Sequence, residues 1–419
     1  MYKISKFKLS ALAVATAIAC SPAAFATNGY FKHGYGQKSE GMGGVGVALP
    51  QDSLAPATNP AGLSFVGNRA DAGMEVFNPR RDATVDFSGG AGGAVSSNSG
   101  ATTFLIPEAG FSMDMAGMNM GLAVVANGGM NTRYGKNPIN LAQGDPRPAT
   151  LGVNLSQLLI LPSVAYKLND SNSLGASLIV GYQRFRAYGF GNFAGFSTDP
   201  TNMTNKGDDH AWGAGIRLGW TGKLTDSLTL GATYASKVAM QEFSKYKGLF
   251  AEQGDFDIPA NYAVGIAFSP SNDLTLGLDV ERIEYSDVAA IAHTGPTPAE
   301  LGGAITADRM FGANNGMGYG WESITVYKIG ANYDLNDQWT LRAGVNVGEN
   351  PIPDSQTLLN VTAPGLVKTH LTFGFTYNVD KSNEITVSAM HAFREDQSGP
   401  LADIGMSQNS VGASYGIKF

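Results

Sequence analysis

The residues best suited to chemistry in this chain are aromatic and cationic, and they point to binding rather than to bond making. Residues 189–208 contain Phe190, Phe193, Phe196 and Met203; residues 242–257 contain Phe243, Tyr246, Leu249, Phe250 and Phe256. Aromatic side chains at this density are costly on a free surface, so they either pack on one another or form an apolar groove. Arg184, Arg186, Arg217 and Arg342 are the candidate cations for an acidic head group. Arg217 stands between Ile216 and Leu218, and Arg342 between Leu341 and Ala343, so both are expected on the polar face of an alternating strand. Their competing role is pairing with carboxylates on that face, such as Asp279 or Glu281. If no cation reaches a ligand, a neutral one is the better fit. The five histidines, His33, His210, His293, His370 and His391, are scattered without serine and acid partners, and metal-ligand spacing is absent. No catalytic residue, metal or cofactor is expected.

The elements that must position these residues are strands. Val411, Ala413, Tyr415, Ile417 and Phe419 alternate with Gly412, Ser414, Gly416 and Lys418. Leu274, Leu276, Leu278 and Val280 alternate with Thr275, Gly277, Asp279 and Glu281. Leu371, Phe373, Phe375 and Tyr377 alternate with Thr372, Gly374 and Thr376. A period of two, apolar on one face and small or polar on the other, is a strand between two solvents. Six short polar turns separate such runs: 114–117, 169–172, 223–227, 269–273, 336–337 and 380–383. They are Asn, Asp, Ser and Gly clusters, whose side chains bond to nearby backbone and tolerate positive φ. Six turns join twelve strands; one strand after the N-terminal segment and one ending at Phe419 make fourteen. The expected fold is therefore all-β: a 14-stranded antiparallel transmembrane barrel with a plugging N-terminal segment, short turns on one side and long loops on the other.

Composition agrees. Residues 1–26 read as a secretory signal peptide, with Lys3, Lys6 and Lys8, an apolar run from Leu9 to Ala19, and Ala24-Phe25-Ala26 as the cleavage site. The only cysteine, Cys20, lies in this segment, where it could also be a lipidation site. Its removal leaves no thiol for disulfides, metal or nucleophilic attack. Three of the 28 Lys and Arg residues go with the signal, leaving 25 against 35 acidic residues and a net charge of −10. That sign, with no basic run, excludes nucleic acid as a partner. The 54 glycines suit an inner wall that must leave room for a plug or a path.

Residues 27–68 do not alternate, and the barrel is expected over 69–419. The segment is rich in Gly, Ala and Pro and low in charge, which suits a plug folded back into the lumen better than a periplasmic tail. Gly41-Met42-Gly43-Gly44-Val45-Gly46 fits a dinucleotide pattern by chance only, since no strand and βαβ unit frame it. Here the residues resemble a known family. Gly41-Met42-Gly43-Gly44, Asp52 and Asn59-Pro60-Ala61 resemble the N-terminal hatch of the FadL (OmpP1/FadL/TodX) family of outer-membrane transporters. Asp257-Ile258-Pro259 with Tyr262 and Gly265 is similar to the family's Leu-Pro strand entry. Asp337-Gln338-Trp339-Thr340-Leu341-Arg342-Ala343-Gly344 and Pro351-Ile352-Pro353 are similar to its Trp-Thr-x-Arg-x-Gly strand and Pro-x-Pro loop.

The resemblance implies uptake of long-chain fatty acids, or of aromatic hydrocarbons in some branches, by a protein of the Gram-negative outer membrane. Cargo would be captured in the two aromatic loops and leave sideways through a gap at a kinked third strand, into outer-membrane lipid. Asn59, Pro60 and Ala61 would stand beside that gap. Gly128-Gly129, after Val124-Val125-Ala126, is the candidate kink, because paired glycines weaken a strand ladder; a tight bend in an outer loop is the competing reading. A monomer is expected. The rivals are a polar-solute porin, a structural barrel and an outer-membrane enzyme, the last without support from any motif.

Overall fold

The computed structural model describes residues 28–87, 92–115, 117–145 and 149–419. The signal segment with its cleavage site and Cys20 lies outside the described residues. Fourteen strands form the wall. They are β1 Arg69–Val85, β2 Phe104–Met115, β3 Met118–Asn131, β4 Gly152–Lys167, β5 Asn172–Tyr188, β6 Asp209–Thr225 and β7 Leu228–Ala235. They continue as β8 Asn261–Phe268, β9 Leu274–Ile283, β10 Ile324–Asp334, β11 Trp339–Gly348, β12 Thr369–Asn378, β13 Asn383–Ser398 and β14 Ala402–Lys418. Two short strands, Val95–Asn98 and Ala239–Met240, extend loops. Each wall strand pairs antiparallel with its sequence neighbour, and β14 pairs with β1 from Arg69↔Lys418 to Val85↔Ala402. The sheet is closed, so it presents no long open edge to hydrocarbon.

All six short turns expected from the sequence join wall strands, and the strand count is as expected. The alternation is physical. Leu276, Leu278, Leu371, Phe373, Val411 and Tyr415 are exposed on the outer face, while Gly277, Asp279, His370, Thr372 and Gly412 between them are buried. Tyr166, Tyr333, Trp339 and Tyr377 lie towards the short-turn ends, and Trp212, Tyr234 and Tyr262 towards the other ends. These are the two aromatic girdles that anchor a barrel at its interfaces.

The N-terminal segment lies inside. Nearly all of residues 28–66 are buried. A Cβ added to one glycine from each of eleven wall strands would run into this segment. Gly121 faces Leu63, Gly175 faces Pro60 and Ala61, Gly231 faces Val47, Gly277 faces Val45, Gly344 faces Met42 and Gly412 faces Gln37. Contacts on eleven of fourteen strands are possible only from the lumen. The glycines opposite the apolar outer face thus make room for packed backbone.

The Gly41-Met42-Gly43-Gly44 motif has a local reason. Gly43 and Gly44 both adopt left-handed backbone, φ 72° and 86°, which costs residues with a Cβ. Gly43 also sits so close to β11 that a Cβ would lie 2.8 Å from the Val345 carbonyl oxygen. Its N–H donates to Thr372 Oγ1 at 2.7 Å. Polar ties complete the seat. Gly46 and Val47 donate to Asp279 Oδ2 at 2.8 and 3.0 Å, Ser53 N donates to Asp71 at 2.9 Å, and Lys38 pairs with Glu384 at 2.5 Å. Lys38 with Glu384 and Asp71 with Arg69 are buried as opposite charges, while Asp279 is held by two backbone N–H groups.

Gly344→Leu is expected to unseat the segment without opening the outer wall, because the new side chain must occupy the space of Met42. Single-channel conductance should rise and protease should cut within residues 28–67, while the barrel keeps its heat-modifiable mobility on gels.

Candidate functional site

Strand β3 changes character at Val125. Up to Val124 it alternates and pairs with β2, ending at Ala109↔Val124. From Val125 to Asn131 every residue is buried, on both faces of the strand. The register with β4 shifts between Ala126 and Gly128, so Asn127 is an extra residue, a β-bulge that bends the strand. Gly128 and Gly129 therefore stand inside the strand at the bulge, not in an outer loop. The bent end pairs with the N-terminal segment. Phe31 bridges Gly128, Lys32 N donates to the Asn127 carbonyl at 2.9 Å, and Gly129 N donates to the Tyr30 carbonyl at 3.1 Å. Glycine is required at 128 because a Cβ there would strike the Tyr30 carbonyl oxygen.

This bend leaves a window in the wall. Residues Phe104–Glu108 of β2 pair with β1 on one side and have no ladder with β3 on the other among the described residues. Pro107 lies in this stretch and brings no N–H that would need a partner. Above the window the wall closes again, through the Ser99↔Tyr134 bridge and a 2.8 Å bond from Gly100 N to the Arg133 carbonyl. Five residues of one strand edge thus border a break in the ladder between β2 and β3.

An aromatic floor holds the start of the segment against this window. Tyr30 packs on Tyr285 at 5.1 Å, on Trp321 at 5.8 Å and on Phe256 at 6.4 Å between ring centroids. The Tyr285 hydroxyl accepts from Tyr30 N and Phe31 N at 3.2 and 3.3 Å and donates to the Asn28 carbonyl. Trp321 Nε1 donates to Asn360 Oδ1 at 2.6 Å.

The expected site residues fall into separate groups. Asn59-Pro60-Ala61 does not stand at Gly128. Asn59 Nδ2 donates to the Val47 and Trp220 carbonyls at 2.8 and 2.9 Å, and Asn59 Oδ1 accepts from Ala61 N at 3.1 Å. Pro60 and Ala61 lie against Gly175 on β5. The tripeptide seats the segment on β5 and β6, and the segment's contact with the kink is made by Tyr30, Phe31, Lys32 and Tyr35, whose hydroxyl donates to Asn127 Oδ1 at 2.7 Å. The reason is reach: the chain leaves the kink after Tyr35, crosses the lumen and enters β1 only after Val66.

The loop aromatics do not line an open groove. Phe190, Phe193, Met203, Phe243, Tyr246, Leu249, Phe250 and Phe256 are buried, and Phe196 is partly buried. Phe185 of β5 meets Phe243, Tyr246 and Phe250 at 5.5, 4.9 and 4.7 Å, Phe250 meets Phe256 at 4.9 Å, and Phe193 meets Phe311 at 5.9 Å. Of the two arrangements open to such residues, mutual packing is the one present. It folds both loops over the mouth of the barrel.

Arg217 and Arg342 face the lumen as alternation requires, but the N-terminal segment engages both. Arg217 donates to the Thr58 carbonyl at 2.9 Å, and Arg342 to Gln51 Oε1 at 3.0 Å and Thr376 Oγ1 at 2.7 Å. Neither pairs with Asp279 or Glu281; Asp279 caps the segment and Glu281 pairs with Lys328 at 2.7 Å. Arg184 and Arg186 share the outer face with Leu178 and Tyr182, so they do not reach the lumen.

Across residues 12–405 the sequence matches the family described as outer membrane protein transport protein (OMPP1/FadL/TodX). The chain belongs to this family. Its members are transport channels of the outer membrane, not enzymes. It is 24% identical to the long-chain fatty acid transport protein of Escherichia coli K12 over 433 residues, covering 92% of each chain. It is 25% identical to the protein of that name from Salmonella typhi, again over 92% of each. The crystal structure of the Pseudomonas putida toluene transporter TodX superposes with a TM-score of 0.69 at 22% identity, covering 94% of this chain and 100% of that one. These likenesses confirm the barrel of the FadL/TodX family.

Sequence reasoning missed Tyr30, Phe31, Tyr285 and Trp321. The signal available was an aromatic pair at the start of a segment otherwise built of small residues, which marks an anchor.

Asn59→Leu removes bonds to Val47, Trp220 and Ala61 and strands buried polar groups, at roughly 1–3 kcal/mol for each group left unpaired. The expected result is faster amide exchange over residues 45–66 with the barrel strands unchanged.

Proposed function

We propose that this FadL/TodX-family barrel is a passive channel for hydrophobic compounds, long-chain fatty acids first, which leave it sideways into the membrane through the window between β2 and β3. The observation that carries the reading is that window: β3 gives up its ladder with β2 and pairs with Tyr30–Lys32 instead. A closed wall would be simpler for a polar pore, and the buried segment Asn28–Val66 blocks the straight path through the lumen. A polar-solute porin needs that path open. A structural barrel needs no break in the wall at all.

Lateral exit suits an apolar cargo. Passing into the periplasm would return each CH₂ to water at about 0.8 kcal/mol, whereas a window at bilayer depth keeps the chain in apolar surroundings. No cofactor or energy source enters; flow follows the gradient. The family relationship to proteins named long-chain fatty acid transport protein supports the fatty-acid reading. Because each chain closes its own barrel, a monomer suffices. Export by a cleaved signal at Ala24-Phe25-Ala26 belongs to the same reading.

One observation favours uptake of aromatic hydrocarbons as the second reading. Arg217 and Arg342 are occupied by the N-terminal segment, so neither is free to meet a carboxylate. The packed loop aromatics would suit a neutral ring equally well.

The test is uptake of labelled oleate, and separately of labelled toluene, by cells lacking such a channel and expressing this one. Oleate uptake supports the first reading and toluene uptake alone the second. Deleting Asn127 restores the regular register of β3 and is expected to close the window, bringing uptake down to that of cells without the barrel. Undiminished uptake by a folded Asn127 deletion would remove the window from the route.

A further inference from the structure

We propose that Arg81 is the site that receives an acidic head group at the window, so that this channel prefers carboxylate-headed chains to neutral ones of the same length. The inference deepens the fatty-acid reading and rests on it.

Arg81 is on β1, on the inward face with Phe77, Ala83 and Val85. It is 6% exposed. Among the other buried arginines, Arg217 and Arg342 have neutral partners and hold the N-terminal segment, and Arg69 has two carboxylates, Asp71 and Glu384. Arg81 has none among the described residues. Its Nη2 donates to the Ala101 carbonyl at 2.9 Å, its Nη1 to the Asn131 carbonyl, and its Nε is buried with no hydrogen-bond partner among the described residues. The guanidinium carbon stands 5.9 Å from the centre of the Phe104 ring. A buried guanidinium held only by neutral carbonyls is under-compensated, and a carboxylate matches its planar fork with two charge-assisted bonds.

Position makes the vacancy of charge meaningful. Asn131 ends the bent β3, Ala101 lies just before β2, and Phe104 begins the unpaired edge of β2. Arg81 therefore ties the two rims of the window together from behind. Beside it is a crevice lined by Arg81, Tyr30, Met130, Trp321, Pro364 and Met406, whose free volume of about 10 Å³ holds no more than one water. A chain can enter only by displacing Tyr30. A carboxylate reaching Arg81 would take the place of the Asn131 carbonyl, releasing the tie to β3 while the alkyl tail lies along Phe104 and Ile106 towards the lipid. Head-group binding and loosening of the window rim would then be one event. Arg217 and Arg342 cannot do this, since their donors anchor the N-terminal segment far from the rim.

The experiment is competition for labelled laurate on the full-length barrel in lipid nanodiscs, with unlabelled laurate against dodecanol. In the unaltered protein laurate should compete about tenfold better or more, the factor set by one strong charge-assisted contact. That advantage should vanish as laurate is protonated, below about pH 4. Arg81→Gln should remove the advantage and leave dodecanol competition unchanged, and Arg81→Lys should retain part of it. Heat-modifiable mobility checks that each variant is folded, and the pH profile of the unaltered protein tests the proposal without any variant. An equal affinity for both ligands in the unaltered protein, or an advantage that survives in Arg81→Gln, overturns the proposal while leaving hydrophobic uptake standing. Failure of both ligands to compete overturns the uptake reading itself, and this inference with it.

Discussion

In hydrocarbon no water is available to an unpaired peptide group, and each one left open costs several kcal/mol. This constraint explains why the wall closes strand by strand from β1 to β14, and it makes the break between β2 and β3 informative. Between β2 and β3 the ladder stops after Ala109↔Val124. Two peptide groups of β3 beyond Val124 are taken up by the N-terminal segment: the Asn127 carbonyl accepts from Lys32 N, and Gly129 N donates to the Tyr30 carbonyl. A strand can leave the wall here because another segment waits inside to pair with it.

That segment in turn depends on the wall. It approaches eleven strands closely enough that a methyl group on the facing glycines would run into its backbone or side chains. Its polar groups meet Asp71, Asp279, Thr372 and Glu384 from the strands. Lys32 lies at its start and pairs with Glu75 of β1 at 2.9 Å. One cation therefore neighbours the kink on one side and the inner wall of β1 on the other. The packed lumen and the broken ladder are two aspects of the same arrangement: the segment that fills the lumen is the one that pairs with the bent end of β3.

The loops extend this closure upward. Phe185, Phe243, Phe250 and Phe256 form a continuous stack that ends on Tyr30. Tyr30 is at once the lower end of the loop core and the residue whose carbonyl holds Gly129. The loop core is thereby connected to the kink through packed rings rather than through a flexible tether. Dense packing transmits displacements because there is little free volume to absorb them.

By itself the sequence determined the wall. Period-two alternation over strands such as Leu371–Tyr377, and turns such as Asn169–Asn172, are encoded within a few neighbouring residues, where side-chain direction and backbone preference act without reference to the rest of the chain. It also determined which residues face inward, Arg217 and Arg342 among them. Only the tertiary structure decided what meets across the lumen. Tyr30 and Tyr285 are 255 positions apart, and Arg81 reaches Asn131 across the window rather than along a strand. Whether loop aromatics form a groove or a core, and whether Asn59 or Phe31 stands at the kink, depends on barrel closure and on the path of one segment through it. Those are non-local quantities: they follow from where closure puts each strand, and no run of neighbouring residues carries them.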